Sequence, residues 1–172
     1  TGQTFKSMLL KKKREGLEIR LMYDDMGCNE THKSYFKELE KAGIELAVFS
    51  PVRFPKMLHT VNYRNHKKIV VIDGKIGYTG GINVKDDYTK NLDWGIWRDV
   101  HLRIVGSAAQ GLQTIFFIDW FYTCNKFLFD DKYYPVVDHY GDNLIQIASA
   151  EPIDQFKNIE QGMIEAIARA KK

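Results

Sequence analysis

The sequence predicts an α/β fold in which a mixed β-sheet is sandwiched by helices, and three observations carry that prediction. Helical and strand-like stretches alternate in the order α β α β β β β α β α. The strand-like stretches are short apolar or alternating runs closed by glycine or by Asp-Gly, whereas the helical ones place apolar residues at i, i+3 and i+4. The 172 residues, 44% hydrophobic and 27% charged, suffice for one domain with a real core and exclude a disordered or collagen-like chain.

Each element has its own signal. Residues 4–15 read as a helix with Phe5, Met8 and Leu9 on one face and Gly16 at its stop. Lys11 to Arg14 form the exposed, dipole-favoured end of that helix. Leu17 to Tyr23 alternates as a strand, and Asp24-Asp25-Met26-Gly27 turns the chain. Asn29 or Thr31 is expected to cap a second helix that ends at Ala42 before Gly43. Ile44–Phe49 is a strand, followed by a loop with Pro51 and Pro55. Lys68–Ile72 and Ile76–Thr79 are expected to form a hairpin across Asp73-Gly74. After a polar loop over 84–95, Asp99–Val105 is a strand and Ser107 caps a helix to about Cys124. In that helix Ile115, Phe116, Ile118, Trp120 and Phe121 read as core, interrupted by Asp119. A strand over Asn143–Ala148 and a helix from about Gln155 to Ala170 complete the order.

Charge and cysteine usage bound the function. The net charge of +3 is too small to argue for nucleic acid, whose binders usually exceed a pI of about 9. Cys28 and Cys124 supply neither a disulfide framework nor a metal knuckle, which fits a reducing compartment. No apolar run approaches the roughly 18 residues of a membrane span, and no signal peptide opens the chain. Because it starts at Thr1, the chain is expected to be an excised piece.

The stretch that carries chemistry runs from Arg64 to Asn83. Along a strand His66 and Lys68 project to one face, and the apolar Ile69–Ile72 takes the chain through the core to Asp73. Gly80 and Gly81 let the backbone approach a ligand closely, and Asn83 adds two amide donors. An imidazole, an ammonium and an amide at one place suit a tetrahedral phosphate. Near neutral pH an imidazole is available to attack phosphorus and to hold a covalent phosphohistidine. Lys68 and Asn83, with Gly81, are expected to hold the non-bridging oxygens. No metal or other cofactor is expected. Taken singly, a histidine beside lysines is a surface residue, two lysines are a solvated strand edge, and Gly-Gly is a turn. Five such residues at fixed spacing arise by chance on the order of 10⁻⁴ times in a chain this long.

That run resembles the His-x-Lys-x4-Asp-x6-Gly-Gly/Ser-x-Asn (HKD) signature of the phospholipase D superfamily, with His66, Lys68, Asp73, Gly80, Gly81 and Asn83 in place. Glu18–Asp25, Tyr63–His66, Gly77–Asn83 and Trp97–Ile104 are similar to the first catalytic half of bacterial cardiolipin synthases. The resemblance implies a phospholipase D-like half-domain over 1–150, and over 151–172 a helix leading toward a missing second half. It also implies a phosphatidyltransferase that condenses two phosphatidylglycerols through a phosphohistidine, on the cell membrane in the full-length enzyme. Two HKD histidines divide that work in the family, and this chain carries one. The piece alone is therefore expected to be soluble and without turnover, and to need the second half of the same polypeptide or a second copy. Asp99 falls where the family has an acid that orients the imidazole, the competing reading being a surface ion pair with Arg98 or Arg103. Asp73, counted with the site, reads as a structural acceptor in its turn. The loop Val52–His59 mixes basic and apolar residues that suit an anionic phospholipid at a membrane surface. Alternatives from other classes are a single-HKD phosphodiesterase or nuclease active as a dimer, and a non-catalytic fragment that binds anionic phosphate.

Overall fold

A computed structural model describes residues 1–51, 64–89, 95–150 and 156–171. Among these, helix α1 (Gly2–Arg14), strand β1 (Arg20–Asp24), helix α2 (Lys33–Lys41) and strand β2 (Glu45–Phe49) come first. Strands β3 (Ile69–Ile72), β4 (Ile76–Gly80) and β5 (His101–Val105) follow, then helices α3 (Ala108–Cys124) and α4 (Asn158–Arg169). β1 and β2 pair in parallel, with Arg20 beside Glu45 and Asp24 beside Phe49. β3, β4 and β5 form an antiparallel sheet in that order, with Ile69 opposite Thr79 and Gly80 opposite His101. The α/β class and the mixture of parallel and antiparallel strands agree with the sequence. The two groups of strands form separate sheets among the described residues.

Helix α3 joins them by packing against β2, β3, β4 and β5. It is apolar around most of its circumference, as a helix between two sheets must be, and it buries Ala109, Leu112 and Trp120. Its close approach to β4 depends on Gly77, where a Cβ would lie 2.8 Å from a Leu112 methyl. β1 and β2 are covered on both faces. Tyr23 stacks on Phe36 of α2 at 3.8 Å between centroids, while the adjacent Met22 sulfur accepts from the Thr123 hydroxyl of α3. Helix α1 backs α2 through a Lys6–Glu38 ion pair of 2.7 Å and a bond from the Tyr35 hydroxyl to the Gly2 carbonyl.

The β3–β4 hairpin turns where the sequence places it. Asp73 (φ 54°) and Gly74 (φ 64°) both take left-handed angles, and the Lys75 N–H donates to the Ile72 carbonyl at 3.0 Å. That is the type I′ turn whose twist suits a two-residue hairpin, and Asp-Gly tolerates it best.

Four local expectations need correction. The cap of α2 is His32 and not Asn29 or Thr31, because a 3₁₀ turn over Met26–Cys28 delays the helix and the His32 ring accepts from the Ser34 N–H. Ser107 precedes α3, yet its side chain makes no capping bond. β5 starts at His101, since the Asp99 carboxylate already takes the Val100 N–H. Asn143–Ala148 is not a strand: Leu144 is fully exposed, and only Ile147 docks, against Gly111 of α3. The Val52–His59 loop lies outside the described residues. Of the stretch 151–172, α4 is described and is exposed along its length.

An acid-sensitive tie joins the residues entering β1 to the segment after α3. Glu18 accepts from the Tyr133 hydroxyl at 2.6 Å and pairs with Arg20 and Lys132. The Tyr133 bond, followed by those of Arg20 and Lys132, holds its carboxyl at about 2 against the usual 4.5, while partial burial pulls the other way. A depressed folded value means the stabilisation is present above the unfolded value and disappears as pH falls from 4.5 to about 2. Glu18→Gln should therefore unfold at a lower temperature than the parent at about pH 6, and the two melting curves should converge near pH 2 in circular dichroism. A constant gap would show that this tie does not govern the acid limb.

Candidate active site

The strand that carries the histidine is held from behind. Extended residues 64–68 enter β3, and alternation divides their side chains between two faces. Asn65 and Lys67 point toward α3. The Lys67 ammonium lies 2.8 Å from both oxygens of Asp119, and the Asn65 amide donates to the same carboxylate at 3.0 Å. Asp119 is 5% exposed, so this ion pair is screened from water. At the end of β1, Asp24 accepts from the Asn65 backbone N–H and from Arg64. A cavity of about 50 Å³ lies among these groups, also lined by Met22, Phe49 and Phe116.

His66 and Lys68 emerge on the opposite face of the sheet, together with the half-exposed Val70 and Ile72. His66 is exposed, and its imidazole takes no hydrogen bond from the described residues. The Lys68 ammonium bends back to the His66 backbone carbonyl at 2.6 Å. Continuing the β3–β4 register by one residue sets Lys68 beside Gly80, which is itself opposite His101. Lys68, Gly80 and His101 therefore form one row across the three strands. Asn83 lies at the same end of the hairpin as His66, exposed, with its amide donating to the Tyr88 hydroxyl at 2.7 Å.

The two glycines serve a purpose the sequence did not reveal. A Cβ on Gly81 would meet the Asp99 carboxylate at 2.1 Å, and one on Gly80 would meet the Val100 carbonyl at 2.3 Å and the His101 ring at 2.8 Å. The room above them is filled by Asp99 and His101. The Asp99 oxygens accept from the Trp97 indole at 3.1 Å and the Val100 N–H at 2.7 Å, and no bond joins Asp99 to His66. Asp73 sits in the turn at the far end of β3. It lies seven positions from His66, about 20 Å along an extended strand, so the two cannot touch one phosphate.

His66, Lys68 and Asn83 thus lie at one end of one hairpin, as their spacing predicts, whereas that spacing does not point to Asn65, Lys67, Asp119 or His101. The available signal was alternation itself: if His66 faces out, its neighbours face in and need polar partners. Among the described residues no group of three or more His, Cys, Asp or Glu side chains is placed to hold a metal ion. Nor is any described helix long and apolar enough to cross a membrane.

Curated proteins resemble this chain over nearly its whole length. Cardiolipin synthase 2 of Bacillus cereus is 41% identical over 176 residues, covering 99% of this chain and 34% of that protein. The cardiolipin synthase of Oceanobacillus iheyensis is 42% identical over 171 residues, covering 98% of this chain and 35% of that protein. One from Staphylococcus aureus is 41% identical over 174 residues, with 99% and 35% covered. The chain thus spans about a third of the length of the curated relatives it matches. With the family described as "Cardiolipin synthase, PLD-like domain" matching residues 1–120, which include the whole His66–Asn83 hairpin, the chain belongs to that cardiolipin synthase family of the phospholipase D superfamily.

Proposed function

We propose that this chain supplies one histidine site of a phosphatidyltransferase that makes cardiolipin from two phosphatidylglycerols. The observation that supports this most directly is the exposed His66 imidazole, which takes no hydrogen bond from the described residues, with the Lys68 ammonium bonded to the backbone carbonyl of the same residue. In the first step the neutral imidazole attacks phosphorus, the P–O bond to glycerol breaks, and glycerol leaves with a proton from a general acid. In the second, a hydroxyl of another phosphatidylglycerol attacks phosphorus, the P–N bond breaks, and its proton returns to the acid–base partner. Lys68 and Asn83 hold the non-bridging oxygens as charge shifts onto them. Gly81 contributes by admitting Asp99, and Asp99 is assigned to the imidazole once substrate orders the site.

The general acid must lie across the phosphate from His66, and the chain contains one HKD motif. A second HKD half of the same polypeptide, or a second copy of this chain, would supply it. The product class follows the relatives' name, cardiolipin synthase, and a phospholipid substrate would bring the reaction to a membrane surface. Residues 1–150 would then form the catalytic half and 151–172 the connection onward.

The test is lipid analysis of the natural gene product with phosphatidylglycerol vesicles, cardiolipin and glycerol being the expected products. Lys68→Gln and Asn83→Ala each remove a donor worth about 2–4 kcal/mol to a transition-state oxyanion. Each should slow transfer at least about tenfold, at 1.36 kcal/mol per decade. Parental rates in both variants would mean that the phosphate is held elsewhere. The 172-residue chain alone should bind the vesicles and form no cardiolipin, whereas turnover by a strictly monomeric chain would defeat the two-histidine requirement.

A further inference from the structure

We propose that Asp119 is a positioning residue for His66, acting through Lys67 and Asn65; the proposal rests on the reading of His66 as the reacting imidazole. A nucleophilic ring gains rate from being held where its nitrogen meets phosphorus, and a misplacement of about 1 Å costs up to about a hundredfold. Yet the ring itself has no hydrogen-bond partner among the described residues, and it hangs from a segment outside the regular ladder, which starts at Ile69. What fixes that segment is its inward-facing pair. Asn65 and Lys67 flank His66, and both bond to the Asp119 carboxylate, at 3.0 Å and 2.8 Å.

Because side chains alternate, gripping residues on both sides of His66 from behind sets the direction in which the imidazole leaves the front. Asp24 secures the same segment from β1 through the Asn65 N–H. The grip also spans the joint between the two sheets, since Asp119 is on α3, Asp24 ends the parallel pair, and His66 leads into the antiparallel sheet. A carboxylate 5% exposed in an otherwise apolar helix face is costly to bury. Holding the reactive segment in register is what the structure offers in return.

A positioning role and a purely structural one separate in a neutral double variant. Replacing a buried ion pair by apolar residues of similar volume is often neutral for stability. In the natural gene product, Asp119→Leu with Lys67→Met should therefore keep a melting temperature close to the parent's. With phosphatidylglycerol vesicles its kcat should fall at least about tenfold while KM stays within about twofold, because substrate binding does not use these groups. Lys67→Arg retains the pair and should keep kcat within about threefold.

A folded double variant with the parental kcat overturns the proposal. If the double variant does not fold, Asn65→Ala decides, since it leaves the ion pair intact and removes one strut. Its kcat should fall by about threefold or more at unchanged KM, and a parental kcat there overturns the proposal as well. His66→Ala run in parallel keeps the two readings apart. Full activity without His66 removes the foundation, whereas activity that needs His66 and ignores Asp119 removes this inference alone.

Discussion

His66→Ala should abolish cardiolipin formation by the natural gene product, a loss of at least about a thousandfold, as expected when a covalent nucleophile or its proton-transfer partner is deleted. The size follows from what the ring does and from how little can replace it. The exposed imidazole takes no bond from the described residues, and nearby Lys68 is already turned onto the His66 carbonyl. An ammonium at neutral pH has no lone pair with which to attack phosphorus. His139→Ala is the control, because that ring is exposed and engaged with Asp142 at 3.0 Å in a region outside the regular elements. It should leave transfer within about twofold of the parent. Acid-quenched enzyme should also yield a phosphatidyl adduct on the peptide containing His66, detected by mass spectrometry. Substantial transfer without His66 would sink the assignment. Loss of transfer with no adduct in the parent would make His66 the proton donor instead of the nucleophile.

What the sequence revealed and what it concealed divide along the range of the interactions. The hairpin was legible because its turn chemistry is local: Asp73 and Gly74 are the residues that tolerate paired left-handed angles. His66, Lys68 and Asn83 were legible because strand alternation and a tight turn convert spacing into position. In the sequence Asp119 is only a break in an apolar helix, since nothing near it points to Lys67, 52 residues away. Lys67 itself read as one of two solvated lysines. The pairing of Gly81 with Asp99 was hidden for a related reason. A glycine can mean room for a ligand or room for a side chain of the same protein, and only the register of β4 against β5 decides. The false strand at Asn143–Ala148 is the converse case. Its alternation is genuine, but a strand needs a neighbour, and none of the described strands runs beside it.

Trp120→Ala should be the most destabilising single substitution in the described core. Trp120 is 1% exposed, the largest of the fully buried side chains, and it lies against Phe116 at 5.7 Å between ring centroids. Truncating a buried tryptophan leaves a cavity the surroundings fill only in part, at a cost of about 3–5 kcal/mol. That is a large share of the 5–15 kcal/mol that holds a typical domain together. Trp120→Phe separates the ring from its polar atom. The indole N–H is buried with no hydrogen-bond partner among the described residues, so a phenyl ring loses volume but also removes an unmet donor. Its cost should stay below about 1.5 kcal/mol, as for hydrophobic swaps that keep most of the volume. Urea unfolding followed by circular dichroism measures both. Because Trp120 immediately follows Asp119 on α3, a helix that loosens at the tryptophan also loosens the carboxylate that grips Lys67 and Asn65. Transfer by Trp120→Ala should therefore fail at temperatures where its far-ultraviolet signal is still intact. If activity and helical signal disappear together, the core and the active-site strand unfold as one unit, and the grip has no mobility of its own.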